Sequence, residues 1–136
     1  MTTQYFNAPS GRRLAFAATA PARQPLTFVW LSGFRSDMSG IKACAVQAWA
    51  RTQGCGFLSF DYAGHGLSSE AFEHCTLSTW RQDTLEAIDA LTDGPLVLVG
   101  SSMGGWLALL AALVRPERCA GLVLIAPAPD FTERLF

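Results

Sequence analysis

The clearest signal along the chain is a set of short, nearly unbroken apolar runs separated by stretches with helical periodicity. Thr27-Phe28-Val29-Trp30-Leu31 and Gly56-Phe57-Leu58-Ser59-Phe60 read as strands covered on both faces. Leu96-Val97-Leu98-Val99-Gly100 and the run over residues 121–126 repeat that pattern. Between them, residues 41–51 predict a helix with Ile41, Ala45, Val46 and Trp49 on its apolar face, stopped by Gly54. Residues 79–91 predict a second helix, capped by Ser78, with Trp80, Leu85, Ile88 and Leu91 at helical spacing. Met103–Val114 predicts a third, apolar almost throughout and closed by Arg115-Pro116. Residues 5–7 and 13–18 flank a turn-rich Asn7-Ala8-Pro9-Ser10-Gly11 and predict a short hairpin. Strands alternating with helices imply right-handed βαβ units: an α/β protein with a mostly parallel sheet covered by helices on both faces.

Composition narrows the class of function. The chain has 136 residues, which favours one domain, and 50% are hydrophobic against 15% charged, which excludes intrinsic disorder. Ten basic and eleven acidic residues leave a net charge of −1, unsuited to a nucleic-acid binder. No apolar run reaches the length of a transmembrane span. Cys44, Cys55, Cys75 and Cys119 form no C-x-x-C pair, and His65 and His74 stand far from any metal-ligand spacing, so neither metal nor cofactor is expected. The thiols read as reduced residues of a cytoplasmic protein. The alternative is the mitochondrial matrix, because Arg12, Arg13, Arg23 and Arg35 all precede the first acidic residue, Asp37.

The candidate chemistry sits at Gly100-Ser101-Ser102-Met103-Gly104, a G-x-S-x-G motif between an apolar strand and an apolar helix. In that context a sharp turn thrusts the Ser102 hydroxyl above the sheet, and the glycines let strand and helix approach. The helix N-terminus behind it favours a developing negative charge. A phosphate-binding loop is excluded, since Trp106 and Leu107 occupy the places of Lys and Ser/Thr after Gly105. No dinucleotide fingerprint occurs there either. An acyl-transfer serine needs two oxyanion donors. The Met103 amide supplies one, and the loop after the Thr27–Leu31 strand, at Gly33-Phe34, offers the Phe34 amide as the other.

Three segments together resemble the N-terminal half of the α/β-hydrolase superfamily. They are Trp30-Leu31-Ser32-Gly33-Phe34, the loop Phe60-Asp61-Tyr62-Ala63-Gly64-His65-Gly66-Leu67-Ser68, and the stretch from Gly100 to Trp106. Thr79-Trp80-Arg81-Gln82-Asp83 and Arg115-Pro116-Glu117 are further similar to the branch of mycophenolic acid acyl-glucuronide esterase and palmitoyl-protein thioesterase. The resemblance implies an α/β-hydrolase fold in three layers, incomplete at the C-terminus, with residues 1–136 as the N-terminal part of one domain. It implies Ser102 as nucleophile, with Phe34 and Met103 as oxyanion donors. Ser32 stands where many relatives carry His. The implied reaction is cleavage of a carboxylic ester or acyl thioester through an acyl-serine, the partner being a small-molecule or acyl-protein substrate.

The far end departs from the pattern. In this fold the acid and then the histidine follow the serine. After Ser102 come only Glu117, Asp130 and Glu133 as acids, and no histidine. His65 reads as a loop-shaping residue, His74 as a solvated one, and Asp61 and Asp83 as hydrogen-bonding anchors. Catalytic Asp and His are therefore expected in a missing C-terminal half, and the chain alone is expected to be inactive. Alternatives are a hydrolase-like domain that only binds, or a peptidase, lactonase or acyltransferase of the same fold. Phe34, Met38, Trp106 and Leu107 are candidates for an acyl pocket or for plain core, and a lid is expected to begin near Asp130.

Overall fold

The computed structural model describes residues 2–125. Its elements, in chain order, are β1 (Gln4–Asn7), β2 (Arg13–Thr19), β3 (Thr27–Leu31), α1 (Ile41–Gln53), β4 (Gly56–Phe60), a 3-10 turn at Phe72–His74, α2 (Leu77–Leu91), β5 (Leu96–Ser101), α3 (Met103–Val114) and β6 (Cys119–Ile125). The six strands form one sheet in the order β1-β2-β4-β3-β5-β6. β4, β3, β5 and β6 run parallel, and β1 and β2 are antiparallel additions at one side. The four apolar runs are thus the adjacent parallel strands their composition predicts, and the N-terminal pair is the expected hairpin. Ala126, Asp130 and Glu133, and with them the expected start of a lid, lie outside the described residues.

Side-chain alternation along the strands divides the core between two helical layers. Val29 and Leu31, with Leu58, Phe60 and Leu98, pack under Trp80 and Ile88 of α2 and Leu107 and Ala111 of α3. Trp30, Phe57 and Val99 point the other way, onto Ala43 and Ala50 of α1. Continuous apolar strands are needed because both faces are covered.

Two helices differ from their sequence reading. α1 turns a different face inward: Ala43 and Ala50 are buried, whereas Ile41 is 90% and Trp49 50% exposed. The buried stripe is rotated by roughly a third of a turn from the predicted one, since the small alanines allow close approach to the sheet. Trp49 instead packs edge-on against Phe28, with ring centroids 5.1 Å apart. α2 begins at Leu77 under a capping box in which Thr76 and Thr79 exchange side-chain to backbone bonds, so Ser78 is inside the helix and not its cap.

One ion pair ties the hairpin to this framework. Arg12 Nε lies 2.8 Å from Asp83 Oδ1, and the Asp83 side chain is fully buried. The second carboxylate oxygen of Asp83 accepts from the Ala63 amide at 2.8 Å. Burial pushes the Asp83 carboxyl above its usual range, and the Ala63 and Arg12 hydrogen bonds oppose that shift. Arg12→Ala leaves this carboxylate without its counter-charge. The expected cost is about 3–5 kcal/mol, read as a lowered urea midpoint at unchanged slope.

Candidate active site

Ser102 occupies the single residue between β5 and α3 with φ 56° and ψ −119°. A positive φ on a residue with a Cβ is strained, and strain of this kind is held only by the surroundings. Here the surroundings are backbone. The Ser102 amide donates to the Ile125 carbonyl at 3.0 Å, and its own carbonyl accepts from Gly105 at 2.9 Å. A Cβ at Gly100 would run into the Gly104 carbonyl, and one at Gly104 into the Leu31 carbonyl, with Ser32 O at 2.7 Å. The turn can close this tightly only because both positions are glycine.

The same close approach brings the loop after β3 to the serine. A Cβ on Gly33 would sit 3.4 Å from the Ser101 carbonyl oxygen and 3.5 Å from the Ser102 Cβ. Gly33, Phe34 and Ser102 line one cavity of about 360 Å³, with Trp30 and Ile41 among its walls. Met103 is fully buried as the first residue of α3. The structure therefore gathers the three sequence-selected residues, Ser102, Phe34 and Met103, at the carboxyl end of the parallel strands. Of the four acyl-pocket candidates only Phe34 lines this cavity. Met38 and Leu107 are buried in the packed interior, because they point into the core between elements; Trp106 is half-buried and does not line it.

Behind the cavity, the segment after β4 grips the β3 loop at three points. Tyr62 Oη donates to the Ser32 carbonyl at 2.8 Å. Asp61 Oδ1 accepts from the Met38 amide at 2.8 Å, and Asp61 Oδ2 from the Leu67 amide at 3.0 Å. His65 Nε2 accepts from the Arg35 amide at 3.0 Å. Asp61 and His65 are 2% and 3% exposed. Burial raises the Asp61 carboxyl and lowers the His65 imidazolium from their ordinary values. His65 lines a different cavity, of about 300 Å³, alongside Arg35, Phe72 and Glu73. His74 lies exposed in the 3-10 turn. Asp61 is the hydrogen-bonding anchor and His65 the loop-shaping residue that the sequence suggests, while the loop they act on, a contact between residues some thirty positions apart, carries no sequence signal. Among the described residues no cluster of three metal-ligating side chains occurs, and no helix is long and apolar enough to cross a membrane.

The profile of the hydrolase family described as "Serine aminopeptidase, S33" matches residues 26–135. The chain belongs to the α/β-hydrolase superfamily. It is 45% identical over 102 residues to the Mus musculus protein named "Palmitoyl-protein thioesterase ABHD10, mitochondrial", covering 75% of this chain and 34% of that relative. The solved structure of α/β hydrolase domain-containing protein 10 from mouse superposes with a TM-score of 0.90 at 36% identity, covering 98% of this chain and 53% of that one. Est1E from Butyrivibrio proteoclasticus, solved with ferulic acid bound, gives a TM-score of 0.85 at 25% identity over 96% of this chain and 55% of its own. The chain thus spans about a third of that curated relative and about half of the two solved structures.

Proposed function

We propose that this α/β hydrolase cleaves carboxylic esters or acyl thioesters through an acyl intermediate on Ser102. The Ser102 oxygen attacks the carbonyl carbon, and its proton passes to a base and from there to the departing alcohol or thiol. The Phe34 and Met103 amides hold the negative oxygen of the tetrahedral intermediate, each contributing about 2.7–4 kcal/mol to its stability. Water then attacks the acyl-serine and releases the acid. The observation that carries this reading is the strained strand-to-helix turn at Ser102, with Gly33 and Phe34 of the β3 loop lining the same cavity as Ser102. The cavity mixes apolar Trp30, Phe34 and Ile41 with serines, Asp37 and Lys42, and its 360 Å³ lies within the range of small-ligand sites. Relatives named for thioesterase activity support the thioester as one substrate class. The four free cysteines suit a reducing compartment.

No histidine follows Ser102 in this sequence, so the acid and base are assigned to a segment outside these 136 residues, in the order this fold uses. A serine hydroxyl without its base is a weak nucleophile. The expected result is therefore two-sided. The protein that carries this chain hydrolyses short p-nitrophenyl esters or acyl thioesters, and a fluorophosphonate probe labels it at Ser102, as read by peptide mass spectrometry. The 136 residues alone label weakly and turn over little. Labelling at another serine sinks the assignment, and ordinary turnover by the isolated chain makes His65 or His74 the base.

A further inference from the structure

We infer that His65 is a positioning residue for the oxyanion loop: its neutral imidazole accepts the Arg35 amide and so fixes the Phe34 amide one residue earlier, and protonation of the ring releases it. The catalytic half of this inference rests on the hydrolase reading above; the structural half does not. The Ala63 carbonyl lies 3.1 Å from His65 Nδ1, and a carbonyl only accepts, so Nδ1 carries the proton. The Arg35 amide lies 3.0 Å from Nε2 and only donates, so Nε2 is bare. Both partners are backbone; the Ala63 carbonyl is satisfied by the neutral ring and by the cation alike, and favours the cation, whereas the Arg35 amide demands the neutral ring. An imidazolium would set Nε2–H against the Arg35 N–H, donor facing donor.

Arg35 is where such a release would act. It holds φ 61°, a left-handed conformation that is uncommon away from glycine. The Arg35 guanidinium lies over the Phe72 ring at 4.4 Å, and the Phe34 ring packs against Phe72 and Trp80 at 5.2 and 5.9 Å. The turn itself is closed by the Ser36 amide donating to the Gly33 carbonyl at 3.1 Å, side chains hold its periphery, and the Arg35 amide within it is held by His65. The grips from the segment after β4 fall on Ser32 and Met38, on either side of this point, and the Ser32 hydroxyl donates to the Asp37 carbonyl at 3.1 Å across the loop. Rings of Tyr62, Phe72 and Trp80 surround the imidazole at 5.4, 5.3 and 5.1 Å. Of the charged groups facing it, Asp61 and Asp83 favour the cation and Arg35 opposes it; Glu73 lines the same cavity. Burial is the largest influence and favours the neutral ring.

The test begins with the ring itself, in the intact protein labelled with 15N. Long-range proton–nitrogen spectra are expected to show the Nδ1–H tautomer at neutral pH and a midpoint below the ordinary histidine value of 6.5. The Arg35 and Phe34 amide resonances should move at that same midpoint. His65→Gln, whose side-chain oxygen can accept the same bond without titrating, should abolish the shared transition. In turnover assays His65→Ala should lower kcat by up to about 10²-fold with KM little changed, the scale of an ångström-sized misplacement. His65→Gln should restore most of kcat and remove the His65 step from the acid limb. An Nε2–H or charged ring at neutral pH overturns the inference, as do Arg35 and Phe34 amides indifferent to the ring. These spectra decide it even if no ester is turned over, so its failure is separable from that of the hydrolase reading.

Discussion

Ser102→Ala in the protein that carries this chain is expected to reduce ester and thioester turnover by about 10⁴–10⁶-fold and to abolish fluorophosphonate labelling. The substitution removes one oxygen and keeps the Cβ, so the turn retains its φ of 56° and the strain that goes with it. Stability should therefore stay close to that of the parent. On the proposed mechanism what disappears is covalent catalysis, since water must then attack a carbonyl polarised by the Phe34 and Met103 amides alone. Those amides and substrate binding retain a small part of the rate. Steady-state kinetics on a p-nitrophenyl ester, with a thermal melt beside it, reads both quantities. Retention of more than about a tenth of the activity would remove Ser102 from the mechanism, because loss of a nucleophile costs orders of magnitude.

Gly104→Ala is expected to prevent stable folding. In an exposed helix this exchange would gain about 1 kcal/mol of helix propensity. At Gly104 the new methyl meets the Leu31 carbonyl group, with its carbon at 2.6 Å, and Ser32 O at 2.7 Å. These are main-chain atoms at the end of the central strand, and no rotamer change clears them. Either α3 lifts from β3 or the β3 loop is pushed off its Tyr62 bond, and the expected cost is more than about 3 kcal/mol. Against a total of roughly 5–15 kcal/mol that is enough to empty the folded state of a marginal protein. Soluble yield and a urea titration measure it. A wild-type midpoint would mean that strand and helix do not touch here.

How far the sequence alone leads differs from element to element, for physical reasons. β3, β4 and α3 have the bounds read from the chain, because a run buried on both faces or an all-apolar helix leaves a pattern that no neighbour can alter. α1 fails that test: with alanines on several sides, which stripe faces inward depends on how closely the helix can approach the sheet. The start of α2 turns on two threonines three residues apart, and Ser78, an equally good capping residue type, lies inside the helix. The positions of Ser102 and Met103 are legible because strand, turn and helix around G-x-S-x-G are local, and that of Phe34 because its loop follows a strand whose bounds the apolar run sets; their catalytic roles stay part of the proposed function. Asp61 as an anchor and His65 as a loop-shaping residue are legible in their own segment, but the grip they and Tyr62 exert on the preceding loop is not, since it joins segments that meet only when β3 and β4 pair.

The place of β3 in the sheet sets a timetable for the ribosome. β3 lies between β4 and β5, both of which are made after it, so its apolar run emerges with neither neighbour yet in existence. Its first partner arrives with residue 60 and its second with residue 101. At about 5–20 residues per second, several seconds separate Leu31 from the completion of β5. Folding from the N-terminus onward is unavailable to such a chain. Its most apolar early strand must be kept from other nascent chains, and its final collapse is a late, concerted event governed by distant pairings.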